Sequence, residues 1–263
     1  MRIALTLQPV RSNQLLSYNY QYQISGLLYK ILWDSSKKYA TILHQHGLRW
    51  ENKDYKLFSY SHLQFEHYRP TKRGLTINGL VKLVVASPMD KFVRHLVEGV
   101  FQQGEIRIGE ALFQPRELQI LKPPQFDTNM TGLCRSPLVV STVHRVNGSL
   151  KPYYYRATDP EIGEAVESNL LRKYAAFTKK SLESDSIKFQ FDQDYLGRKS
   201  PKEVSKLITI KEGSEEATQI KGIVAPFQLA GNPEIIEFAW HAGLGERTSQ
   251  GFGFWDAIKT NEE

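Results

Sequence analysis

The chain has 263 residues, 34 of them Lys or Arg and 28 Asp or Glu, giving a formal net charge of +6 with 41% hydrophobic residues. This hydrophobic and aromatic content excludes a disordered chain, and the length suits one large core or two cores of ordinary domain size. A single cysteine, Cys134, excludes an intrachain disulfide and a thiolate-rich zinc site, no segment approaches the roughly 20 apolar residues of a membrane span, and the N-terminal apolar run is too short for a signal-peptide core, so a cytoplasmic protein is expected.

Residues 2–8 alternate apolar and polar side chains and predict an edge or half-buried strand that stops at Pro9. Asn19 is placed to cap a helix in which Ile24, Leu27, Leu28, Ile31 and Leu32 form one apolar stripe, and a second helix is predicted over 37–46, ended by Gly47. A strand near 56–61, a basic loop over 69–74, a strand ending at Val85, a helix from Pro88 to about Phe101 and further strand over 106–121 follow. The order β-α-β-β-α-β is the ferredoxin-like arrangement.

Residues 122–129 have linker composition, and the pattern then recurs. Segments 137–146 and 153–155 read as strands around Asn147-Gly148, a hairpin turn signal. Asp159-Pro160 is placed to cap a helix with Ile162, Val166, Leu170, Leu171 and Tyr174 on one side. Strands over 187–191 and 220–229, a helix over 233–241 and a last strand over 252–258 complete the pattern, while the polar stretch 195–218 carries little signal. The expectation is an α+β fold of two tandem ferredoxin-like (RRM-like) domains, 1–125 and 126–263.

Residues 1–125 hold 17 basic and 9 acidic side chains, a net of +8, whereas residues 126–263 hold 17 and 19, a net of −2. All of the excess positive charge therefore lies in the first half. It reads either as a contact surface for a polyanion, most simply nucleic acid, or as a solvated basic face kept for solubility.

Near the C-terminus, residues 243–254 place Gly243, Gly245, Gly251 and Gly253 between a helix and the terminal strand. The segment is not a P-loop, because the glycine-lysine-hydroxyl ending is missing, and not a dinucleotide fingerprint, because Thr248 occupies the third glycine position. It reads as a flexible loop whose backbone amides, with Arg247, Thr248 and Ser249, approach phosphates, or as a tight turn that returns the last strand to its sheet.

The pattern Gly-x-Gly, five residues, Gly-x-Gly at the end of a double ferredoxin-like chain resembles the repeat-associated protein superfamily of CRISPR systems. The strand ending in Pro9, Tyr18-Asn19-Tyr20-Gln21-Tyr22, Gly26-Leu27-Leu28-Tyr29, Leu43-His44 near Gly47 and Lys56-Leu57-Phe58-Ser59-Tyr60-Ser61 narrow the resemblance to the sixth CRISPR-associated protein family, the endoribonucleases that cut precursor CRISPR RNA within its repeats. The resemblance implies metal-independent cleavage with no cofactor, in which the RNA 2′-hydroxyl attacks the adjacent phosphorus and leaves a 2′,3′-cyclic phosphate and a 5′-hydroxyl. It implies repeat RNA as partner, with effector-complex subunits or a second copy of the chain as further candidates.

Such a reaction needs a proton carrier, and histidine suits it because its ordinary pKa lies near neutrality. Of the seven histidines, the resemblance points to His44, here assigned as the acid that protonates the leaving 5′-oxygen with the acid and base roles open to exchange, and His46 is the competitor two residues on. It assigns Tyr29 to accept, relay or position the 2′-hydroxyl proton, and Lys56 to the charge that builds on the phosphate. Read from the residues alone, Tyr29 is a packing aromatic and Lys56 a surface lysine. Lys30, Lys53, Arg69, Lys72, Arg73 and Arg247 are expected phosphate contacts. The reading from another class is a non-catalytic subunit that binds repeat RNA, for which a His44 and Tyr29 pair is not required; an RRM-type single-strand binder lacks its aromatic RNP strand here.

Overall fold

The computed structural model describes residues 1–146, 148–182 and 186–258. Asn147 of the expected turn lies outside the described residues.

The first half builds β1 (Arg2–Pro9), β2 (Gln14–Leu16), α1 (Gln21–Ser35), α2 (Lys37–Gln45), β3 (Leu48–Trp50), β4 (Lys53–Tyr55), β5 (Ser59–Tyr60), β6 (Gln64–Phe65), β7 (Tyr68–Thr71), β8 (Gly74–Ile77), β9 (Val81–Ala86), α3 (Asp90–Phe101), β10 (Ile106–Ile108) and β11 (Ala111–Leu121). Its main sheet runs β10-β11-β1-β9-β5, antiparallel throughout, with β6 also on β9. The stripe Ile24, Leu27, Leu28, Ile31 and Leu32 of α1 packs with Phe92, Val93, Leu96 and Val100 of α3 on Ile3, Leu5 and Leu7.

The second half adds β12 (Asn129–Cys134), β13 (Ser141–Val146), β14 (Ser149–Tyr154), α4 (Ile162–Thr178), β15 (Ile187–Phe191), α5 (Gln193–Gly197), α6 (Pro201–Val204), β16 (Ser205–Ile210), β17 (Thr218–Ile223), β18 (Pro226–Gly231), α7 (Pro233–Ala242) and β19 (Trp255–Ala257). The sheet β15-β18-β12-β19 has the same strand order as β5-β9-β1-β11. Val166 and Leu170 of α4 and Ile235, Ile236 and Ala239 of α7 cover Phe189, Phe227 and Leu229. The fold is thus a tandem pair of ferredoxin-like units, the change of sheet falling in residues 122–128, with β13–β14 and β16–β17 as added hairpins. Among the described residues no helix is long and apolar enough to cross a membrane.

Several local expectations change. β1 is a central strand, paired along most of its length on both sides, not an edge strand. Its polar alternation misleads because Arg2 and Ala4, on the face away from the helices, are covered by the second half. Asn19 does not cap α1, whose N-cap is Tyr20; its carboxamide accepts from the Thr209 backbone at 3.1 Å and donates to Glu212 at 3.0 Å. Asp159 is similarly displaced, since the α4 N-cap is Glu161 and Asp159 accepts from Tyr153 and the Arg156 backbone, both at 2.8 Å. The basic loop 69–74 is a hairpin of β7 and β8, on a separate sheet β2-β8-β7. The strand expected over 56–61 is reduced to β5, and that over 252–258 to β19, with buried glycine-loop residues before it.

Arg2 joins the halves. Only 1% exposed, its guanidinium lies over the Trp240 and Phe254 rings, 3.6 and 4.1 Å from their centroids. It pairs with Asp256 at 2.6 Å and donates to the carbonyls of Trp255, at 2.6 Å, and Trp240. Burial pulls its pKa down to about 9 despite Asp256. Truncating this fully buried side chain removes its ion pair, its carbonyl hydrogen bonds and its packing on both rings, a loss in the range of about 3–5 kcal/mol for a broken buried pair, while Asp256, 38% exposed, keeps Arg135 at 3.0 Å. Arg2→Ala is therefore expected to lower the unfolding free energy by about 3–5 kcal/mol and to separate the melting of the two halves in calorimetry.

His62 adds a pH term. Its backbone donates to Arg135 across the boundary, its ring lies 3.2 Å from the Gln21 amide, and burial, with Lys206 adding, lowers its pKa from 6.5 to about 4. The unfolded chain binds the proton first, so this contribution is complete above pH 6.5 and is lost as pH falls towards 4. Between pH 7 and 5 the wild type should lose on the order of 1–2 kcal/mol through this group, and His62→Gln should flatten that part of the stability profile.

Candidate active site

A single residue, Ser36, separates α1 from α2, ending the first helix and capping the second by accepting from the Tyr39 backbone. This tight corner, with Ala40 and Leu43 buried, lays the last turn of α2 against α1. His44 is exposed, and its ring meets that of half-buried Tyr29 edge-on, with centroids 4.9 Å apart. Phe58 also meets the Tyr29 ring edge-on, with centroids 5.8 Å apart. Lys56 donates its ammonium to the His44 carbonyl, one of the unpaired carbonyls that a helix C-terminus presents. His46 caps α2 through its backbone, and the ring that touches Tyr29 is that of His44.

Burial, with Tyr39 adding, pushes the Tyr29 phenol well above its ordinary range, so it stays protonated and keeps both its donor and its acceptor. Burial lowers the Lys56 pKa against the opposing pull of Asp54.

Beside this trio a cleft of about 560 Å³ opens between the two halves, lined by residues 52–57, by Asn169 and Lys173 of α4, and by residues 246–250. It brings Lys53 and Lys56 together with exposed Arg247 and half-buried Ser249. Arg69, Lys72 and Arg73 are exposed on the β7–β8 hairpin and do not line this cleft. Lys30 pairs with Asp34 at 2.6 Å. Among the described residues no group of three or more His, Cys, Asp or Glu converges as metal ligands.

The four glycines lie beneath the loop surface. Gly243, Gly245, Gly251 and Gly253 are all buried with positive φ. A Cβ at Gly253 would sit 1.8 Å from the Leu244 carbonyl oxygen, and one at Gly251 2.8 Å from the Tyr60 ring. The repeat thus lets the loop fold on itself and press against the first sheet, while Ser25 donates to the Ser249 carbonyl at 2.9 Å. Asn169 and Lys173 escaped the sequence reading, although a signal exists. They share the buried face of α4 with Ile162, Val166 and Leu170, so two polar residues occupy core positions at i and i+4.

Residues 15–119 match the family described as CRISPR-associated protein Cas6, N-terminal, and residues 121–257 match CRISPR associated protein Cas6, C-terminal. The chain belongs to the Cas6 family. It is 28% identical over 254 residues to the CRISPR-associated endoribonuclease Cas6 1 of Methanocaldococcus jannaschii, covering 96% of this chain and 91% of that one. It is 26% identical to the CRISPR-associated endoribonuclease Cas6 of Pyrococcus furiosus over 96% and 88% of the two chains. A solved CRISPR associated protein Cas6 superposes with a TM-score of 0.76 at 26% identity, covering 98% of this chain and 99% of that one. A Cas6-related protein from Pyrococcus furiosus shares the fold with a TM-score of 0.82 at 21% identity over 99% of each chain.

Gly253→Ala is expected to destabilise this Cas6-family chain by about 3 kcal/mol or more, because the new methyl meets backbone at a left-handed position. Thermal melting of the variant beside wild type measures it.

Proposed function

We propose that the protein is an endoribonuclease that cuts precursor CRISPR RNA within its repeats, without a metal, by attack of the RNA 2′-hydroxyl on the adjacent phosphorus. The observation that carries the reading is the edge contact of Tyr29 with His44, with Lys56 bonded to the carbonyl of the same histidine. Family membership supports the substrate class.

In this reading the three side chains act on one phosphodiester. The neutral Tyr29 hydroxyl aligns the 2′-hydroxyl and relays its proton towards solvent, since its raised pKa disfavours a standing phenolate. As the new O–P bond forms, His44 in its protonated form gives its proton to the departing 5′-oxygen. Lys56 turns its ammonium from the His44 carbonyl to the phosphate oxygens, where negative charge accumulates in the transition state. The products are a 2′,3′-cyclic phosphate and a 5′-hydroxyl. Lys53, Arg247 and Ser249 hold the strand in the cleft, with Arg69, Lys72 and Arg73 on a more distant stretch. Buried as they are, Gly243, Gly245, Gly251 and Gly253 serve RNA by shaping the loop that carries Arg247 and Ser249.

Incubation of the protein with the host's own repeat RNA in excess chelator should yield one cut with those ends; intact RNA, or a product with a 3′-hydroxyl, rejects the mechanism. His44→Ala should slow cleavage by about 10²–10⁴-fold, the range of a lost general acid, and leave affinity nearly unchanged. Full activity in that variant beside an inactive His46→Ala would transfer the role to His46, and tight binding without product by wild type would make the chain a repeat-binding subunit.

A further inference from the structure

The floor of the cleft holds a cation that the reaction does not use. Lys173 is 4% exposed, and among the described residues its ammonium donates to the Gly243 carbonyl at 3.1 Å. The acidic group that acts on it is Glu246, whose carboxylate already accepts from Ser141 at 2.7 Å. Burial lowers the Lys173 pKa to about 7 from 10.5, so the folded chain carries this ammonium at a cost. One turn earlier, Asn169 is 7% exposed and its buried side-chain oxygen has no hydrogen-bond partner among the described residues. Both side chains line the space that Lys53, Lys56, Arg247 and Ser249 also line. A buried ammonium with spare donors beside a carboxamide oxygen that lacks a donor, at the base of a cleft rimmed by three further cations, suits a ligand that carries an anionic oxygen and a hydroxyl side by side, as a phosphodiester and its ribose do.

We propose that Lys173 and Asn169 form an anion subsite on the cleft floor that takes a backbone phosphodiester of the bound RNA strand, apart from the phosphate attacked at Tyr29 and His44. The inference rests on RNA being the ligand of this cleft. The Lys173 ammonium donates to a non-bridging oxygen, and the Asn169 Oδ1 accepts from the neighbouring ribose hydroxyl. A cleft of about 560 Å³ falls within the ordinary range of ligand pockets. The competing role for Lys173 is structural, since the Gly243 carbonyl ends α7 and a lysine there satisfies a helix C-terminus.

Binding on an RNA that cannot be cut separates the two roles. The probe is the host repeat RNA with 2′-deoxyribose at the cleavage junction, and affinity is measured from low to moderate salt for wild type, Lys173→Met and Asn169→Asp. Lys173→Met keeps the side-chain length and removes the charge. It should weaken binding about tenfold at low salt and flatten the slope of log affinity against log salt by about 0.7, the change for one phosphate contact on a single strand. Asn169→Asp leaves Lys173 and its Gly243 bond in place but sets a carboxylate in the subsite; affinity should fall at least tenfold with an unchanged or raised melting temperature. An unchanged slope in Lys173→Met, or wild-type affinity in Asn169→Asp, overturns the subsite, and if Lys173→Met does not fold, Asn169→Asp alone decides. Cleavage of unmodified RNA by wild type is scored separately, so the reaction chemistry can fail while the subsite stands, and the reverse.

Discussion

Arg2 carries a charge into the boundary between two sheets, and the arrangement of the second half follows from how that charge is satisfied. A ferredoxin-like sheet bears helices on one face and must cover or solvate the other. Here Ala4, Val84 and Ala86 on the free face of the first sheet are covered by Phe254, and Arg2 on the same face enters the second half. Its guanidinium meets one carboxylate, two backbone carbonyls and two aromatic faces, all supplied by residues 240–256. Planar, multidentate pairing of this kind fixes orientation as well as distance, which a purely apolar patch would not.

Once that seam is set, the glycine segment has little freedom. It leaves α7, must clear Ser59, Tyr60 and Gln21 of the first half, and must return Trp255 to its sheet within a dozen residues. Left-handed glycines make so tight a path possible, and the same path raises Arg247 and Ser249 opposite residues 52–57. The cleft is therefore a product of domain docking. The Tyr29 and His44 contact has a different origin, because it depends on the one-residue corner between two adjacent helices and forms within the first half alone. Lys56 stands at the meeting of the two, bonded to the α2 end and lining the interdomain cleft.

The sequence was most legible where one periodicity acted on one interface. The α1 stripe from Ile24 to Leu32 and the tandem β-α-β-β-α-β order appear as read. Caps were less legible. Asn19 and Asp159 have the chemistry of helix caps, yet each found partners outside the helix, in the β16 backbone and the β14 region. The alternation in β1 looked like a strand facing water because a polar residue buried by a distant domain is indistinguishable in sequence from one exposed to solvent. Lys173 was hidden for the complementary reason: a lysine on an apolar stripe resembles a helix flank until the surrounding elements are in place.

By itself, the sequence determined the local units and their order: the apolar stripes, the stop at Gly47 and the glycine spacing, while Tyr29, His44 and Lys56 were singled out by the family resemblance that these units carry. These depend on interactions a few residues apart, where chain geometry and residue type suffice. Only the tertiary structure decided that Arg2 and the four glycines serve the seam between the sheets, that His44 and not His46 touches Tyr29, and that Lys53, Lys56, Asn169, Lys173 and Arg247 share one cleft. Those outcomes turn on which surfaces lose water when two domains dock. Desolvation is a property of the assembled three-dimensional surface, set by residues up to 254 positions apart, as Arg2 and Asp256 are.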